Sequence, residues 1–517
     1  GLKAEVYPLA GADAGTMAMA VRRQNKTSGG RQVEKYHKVF RKDYEEWYQE
    51  NQEYRELTAS DPRRLRFHLM PETGWLNDPN GLCQLDGQYH IYYQYTPFEP
   101  TGEIKLWGHY TTKDFVRYTR GEPALFPDTD LDAHGVYSGS AFVEDGTIHY
   151  FYTGNVKRFD RDDYDYIMDG RESNTIGIDS RDGFRFTEKK LLLGNQDYPG
   201  DMSCHIRDPK VFKKGQAYYM ALGARDVRGQ GLVLLYESPD LKTWKYCSRI
   251  TTREAFGYMW ECPDLFELDG RQCLICCPQG VKPSGVDYWN VHQCTVMALD
   301  YDFDNHMGRE IPPDAIAMVD RGFDFYAPQS FLDESGRRIL IGWMGIPDAD
   351  YTNPTTQAGW QHALTLPRVL HWKEGRLVQS PVPELQQMRC NERTYALGQL
   401  NLAGEEGIVF EGCFLFESCR HMCLTLRRGV TLTFEDGLLT LDMGTAGSGR
   451  TKRCARLEKL RELQVFSDTS SLEIFVNQGR EVFTTRVYGL EGGIRLEGDC
   501  AGTAVLYDLS GFIYQQP

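Results

Sequence analysis

One pattern returns five times between residues 65 and 366: a short strand, a turn that contains glycine, and a second strand rich in tyrosine or isoleucine. The turn glycines are Gly87, Gly146, Gly215, Gly270 and Gly336. Successive copies are therefore 59, 69, 55 and 66 residues apart, and each interval has room for four short strands. Because such a spacing is typical of propeller blades, the pattern predicts an all-β chain with a five-bladed β-propeller over residues 65–366.

The segments outside the repeat predict three further parts. Residues 1–64 combine a polar tail with an amphipathic helix, predicted from Val33 to Tyr54 because aromatic residues recur there at helical spacing. We expect this helix to pack on the propeller. Residues 367–389 are punctuated by prolines and are predicted to be a linker. Residues 390–517 carry short alternating runs between Gly and Asp turns, which predicts a C-terminal β-sandwich.

Composition excludes several classes of partner. The net charge of −15 over 517 residues argues against nucleic acid and against an anionic membrane surface. No apolar run reaches the roughly 18 residues of a membrane span, and no signal peptide is visible at the start. The 14 cysteines are scattered through apolar runs, as reduced thiols are, so we predict a cytoplasmic location. We expect no cofactor, no bound metal ion, and a monomer or homodimer.

Three of the five repeats begin with an acid at or beside a proline: Asp78, Asp208 and Glu261. Taken alone, each segment is best interpreted as a turn that opens a strand, since proline cannot donate to a strand ladder. Because the first strand of every blade lines the propeller axis, the three acids are expected to meet at one end of that axis. Such a cluster could bind a metal, transfer a glycosyl group or hydrogen-bond the ends of blades.

The neighbours of these acids favour a sugar as the ligand. Aromatic rings, amides and hydroxyls match the apolar faces and hydroxyl edges of a sugar, whereas a calcium site usually takes several acids from one short segment. The candidate substrate-binding residues are Trp75, Asn77, Asn80, Gln94, Trp107, Tyr137, Ser138, Arg207 and Tyr326.

The sequence also suggests different roles for the three acids. Glycoside hydrolysis needs one carboxyl that holds a proton and one that is ionised. Asp208 is expected to stay ionised because Arg207 precedes it. Glu261 has the most apolar neighbours and is the natural general acid, which leaves Asp78 as the nucleophile.

Three segments, in this order, resemble the signature of glycoside hydrolase family 32, a family of β-fructofuranosidases. They are Trp75-Leu76-Asn77-Asp78-Pro79-Asn80-Gly81, Arg207-Asp208-Pro209 and Glu261-Cys262-Pro263. Further segments that match are 92–95, 106–109, 137–140, 324–329, 342–345 and 471–477. The resemblance runs from about residue 65 to the end of the chain, and it implies a five-bladed propeller followed by a sandwich.

The resemblance implies a retaining β-fructofuranosidase that hydrolyses sucrose or sucrose 6-phosphate through a covalent fructosyl-enzyme intermediate. By motif position, Asp78 is the nucleophile, Asp208 stabilises the transition state and Glu261 is the acid/base. The carboxyls of Asp78 and Glu261 should lie about 5–5.5 Å apart, as retention requires. The positions that line the fructose pocket are Asn77, Gln94, Trp107, Ser138 and Arg207.

Two alternative functions stay open. An exo-acting fructan hydrolase would use the same acids on inulin or levan, because variable loops form the leaving-group side of such a pocket. A non-catalytic carbohydrate-binding propeller would have lost at least one of the acids, and all three are present. The cations of the polar segment 155–174 are either a solvated loop or a site for a substrate phosphate. They are Lys157, Arg158, Arg161 and Arg171.

Overall fold

The computed structural model describes residues 38–402 and 407–515, and this part of the chain is almost entirely β. Two helices come first, α1 (Arg41–Glu50) and α2 (Gln52–Ala59). The helix was predicted to begin at Val33, which lies outside the described residues. Within them the helical stretch breaks once, at Asn51, whose backbone is not helical (φ −114°, ψ 39°).

Residues 74–381 form successive antiparallel sheets in a propeller-like arrangement. Listed in chain order, the first is β1 (Gly74–Leu85), β2 (Gln88–Thr96), β3 (Leu106–Thr112) and β4 (Arg117–Arg120); the second is β5 (Val136–Glu144), β6 (Thr147–Lys157), β7 (Arg171–Ser180) and β8 (Lys190–Leu193); the third is β9 (Met202–Lys214), β10 (Ala217–Asp226), β11 (Gly231–Ser238) and β12 (Lys245–Ile250).

The next two sheets follow the same order of strands. The fourth is β13 (Met259–Leu268), β14 (Arg271–Gln279), β15 (Thr295–Leu299) and β18 (Ile316–Met318), with a small separate hairpin of β16 (Tyr301–Asp302) and β17 (Met307–Gly308); the fifth is β19 (Tyr326–Leu332), β20 (Arg338–Met344), β23 (Arg368–Lys373) and β24 (Arg376–Pro381), with β22 (Ala363–Leu364) beside β20. The short strand β21 (Trp360–Gln361) runs parallel to β1.

The five predicted hairpins are present at the five turn glycines. All five glycines have a positive φ, between 61° and 84°, which residues with a Cβ rarely adopt. The residue before the glycine also has a positive φ in three of the turns, at Asp86, Asp145 and Asp269. Two consecutive residues of this kind form the tight turn that suits the twist of a β-hairpin.

The C-terminal part is one ten-stranded, sandwich-like sheet. Its strands are β25 (Arg389–Ala396), β26 (Asn401–Leu402), β27 (Phe410–Arg427), β28 (Val430–Glu435), β29 (Leu438–Asp442), β30 (Lys452–Arg456), β31 (Glu462–Asp468), β32 (Ser471–Val476), β33 (Glu481–Arg486) and β34 (Ile494–Leu509). The long strands β27 and β34 pair along most of their length. The chain then returns to the first sheet, where β35 (Ile513–Gln515) pairs in parallel with β4.

The segment 367–389, predicted to be a linker, contains two regular strands. Ile339 and Leu340 of β20 pair with Val369 and Arg368 of β23, and β23 forms a hairpin with β24. Of the prolines that suggested a linker, Pro367 precedes β23, Pro381 ends β24, and Pro383 begins a short 3-10 helix. The short hairpin therefore extends the fifth sheet.

The helices pack on the first sheet, as predicted. Trp47 and Tyr44 of α1 are buried in an aromatic cluster with Phe98 and Phe126, and the rings of Trp47 and Phe98 meet edge to face at 5.1 Å. Tyr54 of α2 donates a hydrogen bond to a backbone carbonyl near β21. No described helix is long and apolar enough to cross a membrane.

Candidate active site

The innermost strand of each propeller sheet is irregular where it begins. The register with the second strand shifts between Leu76 and Pro79 in β1, and equivalent shifts occur at the start of β5, β9, β13 and β19. Asp208 and Cys262 have positive φ values of 64° and 49° at these irregular positions. A bulge turns a side chain out of the regular alternation, and such features are common beside active sites.

The three acids meet around one thiol. The Sγ atom of Cys262 lies 3.6 Å from Oδ2 of Asp78 and 3.5 Å from Oδ2 of Asp208. The backbone N–H of Cys262 donates to the same Asp208 oxygen at 2.9 Å, and Glu261 is its neighbour in the chain. Acids that are far apart in the sequence are therefore brought together at the entries of β1, β9 and β13.

Asp78 is held by two hydrogen bonds. Ser138 Oγ donates to Oδ2 at 2.5 Å, and Asn77 Nδ2 donates to Oδ1 at 3.0 Å. Burial raises the pKa of Asp78, and the negative charge of Glu261 adds to this, while the two hydrogen bonds act in the opposite direction. The carboxyl is thus fixed in orientation by donors from its own strand and from β5.

Glu261 carries the strongest interactions of the three acids. Nε and Nη2 of Arg207 donate to Oε1 at 3.0 and 2.6 Å, while Gln279 and the hydroxyl of Tyr326 donate to Oε2 at 2.9 and 2.6 Å. Burial alone would raise the pKa of Glu261, but the charge of Arg207 and these hydrogen bonds outweigh it, so the pKa lies below its usual value.

The surroundings of Asp208 shift its pKa in the opposite direction to that of Glu261. It is buried, and burial raises its pKa to about 7, helped by the charges of Glu261 and Asp78 and opposed by Arg207. The sequence suggested the reverse order, with Asp208 ionised and Glu261 protonated. The difference arises because the guanidinium of Arg207 turns away from its neighbour in the chain and binds Glu261 on the next sheet.

Several predicted sugar-binding residues surround the acids in the structure. Trp75 is half-buried and its Nε1 donates to Asn77 Oδ1 at 2.7 Å. Gln94 is buried and donates to the backbone carbonyl of Val136 at 2.8 Å. Tyr137 is half-buried, one residue before Ser138. Arg207 and Tyr326, described above, bind Glu261.

Asn80 and Trp107 lie in the core beneath the site. Asn80 is fully buried and accepts a hydrogen bond from Gly139 N at 3.2 Å, so it links β1 to β5. Trp107 is fully buried among aromatic side chains of the first two sheets, and its Nε1 donates to the carbonyl of Tyr137 at 3.1 Å. In this structure neither the Asn80 amide nor the Trp107 ring is exposed to solvent.

Three contributors were missed by the sequence analysis. Cys262 and Gln279 contact the acids directly, but neither residue type signals catalysis, and only the bulged geometry and strand pairing reveal them. Lys105 precedes β3, and its Nζ lies 4.8 Å from the centre of the Trp75 ring. Its proximity to Asp78 could not be inferred from spacing, because it depends on the fold of the loop that carries it.

The cations of segment 155–174 are mostly engaged elsewhere. Arg158 pairs with Glu172 at 2.9 Å, and Arg161 pairs with Asp163 and Asp169, both at 2.8 Å. Arg171 is buried with its guanidinium 4.4 Å from the centre of the Tyr166 ring. These contacts favour a structural role for the three arginines.

The propeller-like fold, with three carboxyls brought together at the start of its inner strands, points to a glycoside hydrolase as the class of the protein. Comparison with known proteins makes the class specific. Residues 68–381 match the model of the glycosyl hydrolases family 32 N-terminal domain, and residues 430–509 match that of the family 32 C-terminal domain. The chain belongs to glycosyl hydrolases family 32.

Individual relatives agree with this assignment. The sucrose-6-phosphate hydrolase of Bacillus subtilis (strain 168) is 37% identical over 475 residues, which cover 88% of this chain and 95% of the relative. The structure of the sucrose-6-phosphate hydrolase of Lactobacillus gasseri superposes with a TM-score of 0.83 at 29% identity, covering 90% of this chain and 98% of the other. A mutant of the Bombyx mori family 32 β-fructofuranosidase, solved in complex with sucrose, has a TM-score of 0.74 at 26% identity, covering 90% and 99%.

Proposed function

We propose that this chain is a retaining β-fructofuranosidase that releases fructose from sucrose or sucrose 6-phosphate. The observation that carries the proposal is the meeting of Asp78, Asp208 and Glu261 around Cys262. The names of the relatives supply the substrate, because those of Bacillus subtilis and Staphylococcus xylosus are both sucrose-6-phosphate hydrolases.

The proposal includes a closed ring of five blades. The inner strands contact one another in cyclic order, β1 with β5, β5 with β9, β9 with β13, β13 with β19, and β19 with β1 again. A ring of this kind supports the five-bladed interpretation of the repeat. It also gives a reason why acids from three different sheets face one central opening.

In the first step Asp78 attacks the anomeric carbon C2 of the fructosyl unit, and the bond from C2 to the glycosidic oxygen breaks. The hydrogen bonds from Ser138 and Asn77 favour this role, since they hold the carboxylate in one orientation. Glu261 gives a proton to the departing oxygen and then removes one from the water that hydrolyses the ester. Asp208 holds sugar hydroxyls as positive charge develops at C2.

The source of the proton for the leaving group needs an explanation, because the ion pair with Arg207 lowers the pKa of Glu261 and so favours its ionised form. We expect the substrate to take up some of the hydrogen bonds of Arg207. The pKa of Glu261 then rises, since burial and the charges of the other two acids are no longer offset. Asp208, with a pKa raised to about 7, holds a proton before the substrate binds when the pH is below this value.

A cytoplasmic location belongs to the same proposal. All 14 cysteines lie in the described part of the chain and all are unpaired there, several of them fully buried in strands. Thiols persist in this form where the surroundings are reducing.

The test is release of fructose by the purified chain from a panel of sucrose, sucrose 6-phosphate, kestose, inulin and levan. We expect turnover of the disaccharides to exceed that of the polymers, and Asp78→Asn to lower kcat by several orders of magnitude with the same thermal unfolding temperature. A polymer preference would support the fructan hydrolase instead. Activity of Asp78→Asn close to that of the parent would refute the proposed nucleophile.

A further inference from the structure

The loop between β2 and β3 delivers a lysine to the rim of the acid cluster. Lys105 is half-buried, and its Nζ lies over the ring of Trp75 at 4.8 Å from the ring centre. Trp75 in turn donates to Asn77, and Asn77 donates to Asp78. The ammonium is therefore separated from the Asp78 carboxyl by a short chain of direct contacts.

This ammonium has no ion-pair partner within the part of the chain that the structure describes. Its Nζ lies over the Trp75 ring, and the negative charges of Glu99 and Asp78 act on it without a direct ion pair. By contrast Arg158 and Arg161, the cations that the sequence offered for a phosphate, are paired with carboxylates. A half-buried cation without a direct ion pair gains stability from a ligand that brings a negative charge into contact with it.

A second cation lies near the first. The charge of Lys157 is close enough to lower the pKa of Lys105, although burial is the larger cause of its shift to about 8. The backbone N–H of Lys157 donates to His134 at 2.8 Å, which fixes the end of β6. Two ammonium groups near one another favour an anion between them.

The surrounding structure holds Lys105 in place. Its backbone carbonyl accepts a hydrogen bond from Val136 at 2.9 Å, and Ile104 before it joins the aromatic cluster beneath α1. Gly102 has a φ of +81°, and a Cβ there would come within 2.6 Å of Trp75 and 2.8 Å of Lys105 Nζ. The loop is thus packed tightly against both side chains, and this packing restricts the position of the lysine.

We propose that Lys105, with Lys157 as a second cation, binds the phosphate of a phosphorylated β-fructofuranoside and so selects it over the neutral disaccharide. The inference rests on the proposed function and deepens it by assigning the charge of the substrate to a residue. Lys105 is a specificity-determining residue in this account, and the reacting groups remain the three acids.

The test compares kcat/KM for sucrose 6-phosphate and for sucrose in the parent, Lys105→Met and Lys105→Arg, with Arg158→Ala as the matched control. We expect the parent to prefer the phosphorylated substrate, and Lys105→Met to reduce that preference by about 10- to 100-fold, as loss of a charged hydrogen bond does. Lys105→Arg should retain part of it, and Arg158→Ala should keep the preference of the parent.

A second measurement shows which sugar carries the bound phosphate. Competitive inhibition by glucose 6-phosphate, fructose 6-phosphate and inorganic phosphate is compared with that by glucose and fructose, in the parent and in Lys105→Met. The phosphate ester whose advantage over its parent sugar disappears in Lys105→Met is the one that the site recognises, and this result supports the inference. If neither ester loses its advantage, the inference is wrong.

The outcomes separate the inference from the function on which it rests. Equal losses on both substrates in Lys105→Met would mean that the lysine only orients Trp75, and this would overturn anion selection while leaving the hydrolase intact. A parent enzyme with equal kcat/KM on both substrates would do the same. Absence of fructose release from either substrate by the folded parent would overturn both.

Discussion

At the scale of single residues, the orientation of Arg207 sets the charges of the site. Its two hydrogen bonds lower the pKa of Glu261, while the pKa of the buried Asp208 is raised to about 7 and that of Asp78 is raised too. The identities of the acids could be predicted from the sequence because each lies within two residues of a proline at a repeat entry. Their protonation states could not be predicted, because a charged residue need not form its ion pair with its neighbour in the chain. Arg207 pairs with Glu261 and not with Asp208.

This arrangement predicts the alkaline limit of activity. The protonated form of Asp208 predominates below its pKa of about 7, which burial and the negative charges of Glu261 and Asp78 raise. As the pH rises through about 7 the free enzyme loses this proton, so kcat/KM for sucrose, which does not ionise in this range, should fall about tenfold per pH unit. A profile that stays level to about pH 9 would contradict this account.

At the scale of secondary-structure elements, the repeat predicted the hairpins and missed the bulges. A glycine turn between two alternating strands is a local signal, and all five were found where expected. A bulge is a relation between two strands, so the irregular entries of β1, β9 and β13 are not visible in one strand alone. Trp107, on the regularly paired strand β3, is fully buried, and its place in the sugar pocket remains a prediction.

Helix α1 is expected to hold the loop between β2 and β3 in place. Trp47 of α1 contacts Phe98 in the loop that carries Lys105, and the loop is packed beneath the helix. Trp47→Ala should lower the free energy of unfolding by about 3–5 kcal/mol and increase amide hydrogen exchange in residues 97–105. Leu57→Ala, at an exposed position of α2, is the control and should change neither. Unchanged exchange in residues 97–105 of Trp47→Ala would show that the helix does not brace the loop.

At the scale of the whole molecule, the two β parts are joined by a buried charge network. Both ring nitrogens of His68 bind carboxylates of the C-terminal sheet, Asp468 at 2.8 Å and Glu473 at 2.7 Å, and Glu473 also binds Arg368 at 2.7 Å. The domain boundaries at residues 64, 366 and 389 remain predictions. Sequence spacing could reveal the repeat but not this network, in which His68 is some 400 residues away from Asp468 and Glu473.

The network predicts a pH-dependent stability. Burial would lower the pKa of His68, but the two carboxylates outweigh it and raise it above 6.5, while His68 and Arg368 lower the pKa values of Asp468 and Glu473 despite their burial. The stabilisation is therefore fullest between about pH 4.5 and 6.5, and the histidine part is lost as pH rises through its raised pKa. His68→Leu leaves two buried carboxylates without this partner and should cost about 3–5 kcal/mol near pH 6, less at high pH.

Urea unfolding at pH 6 and pH 9 measures this difference. His149→Leu is the matched control, because its ion pair with Asp179 is partly exposed and should contribute about 1 kcal/mol or less. If His68→Leu and His149→Leu cost the same at both pH values, the network does not join the two parts in the way described.

The central claim is that Asp78 forms a covalent bond to fructose, and trapping that bond tests it most directly. The Glu261→Gln variant should still react with β-fructofuranosyl fluoride, whose leaving group needs no proton, but should hydrolyse the ester slowly because the base is absent. Mass spectrometry of the digested protein is then predicted to find one fructosyl group on the peptide that carries Asp78. A fructosyl group on any other residue, or release of fructose without an adduct, would contradict the account.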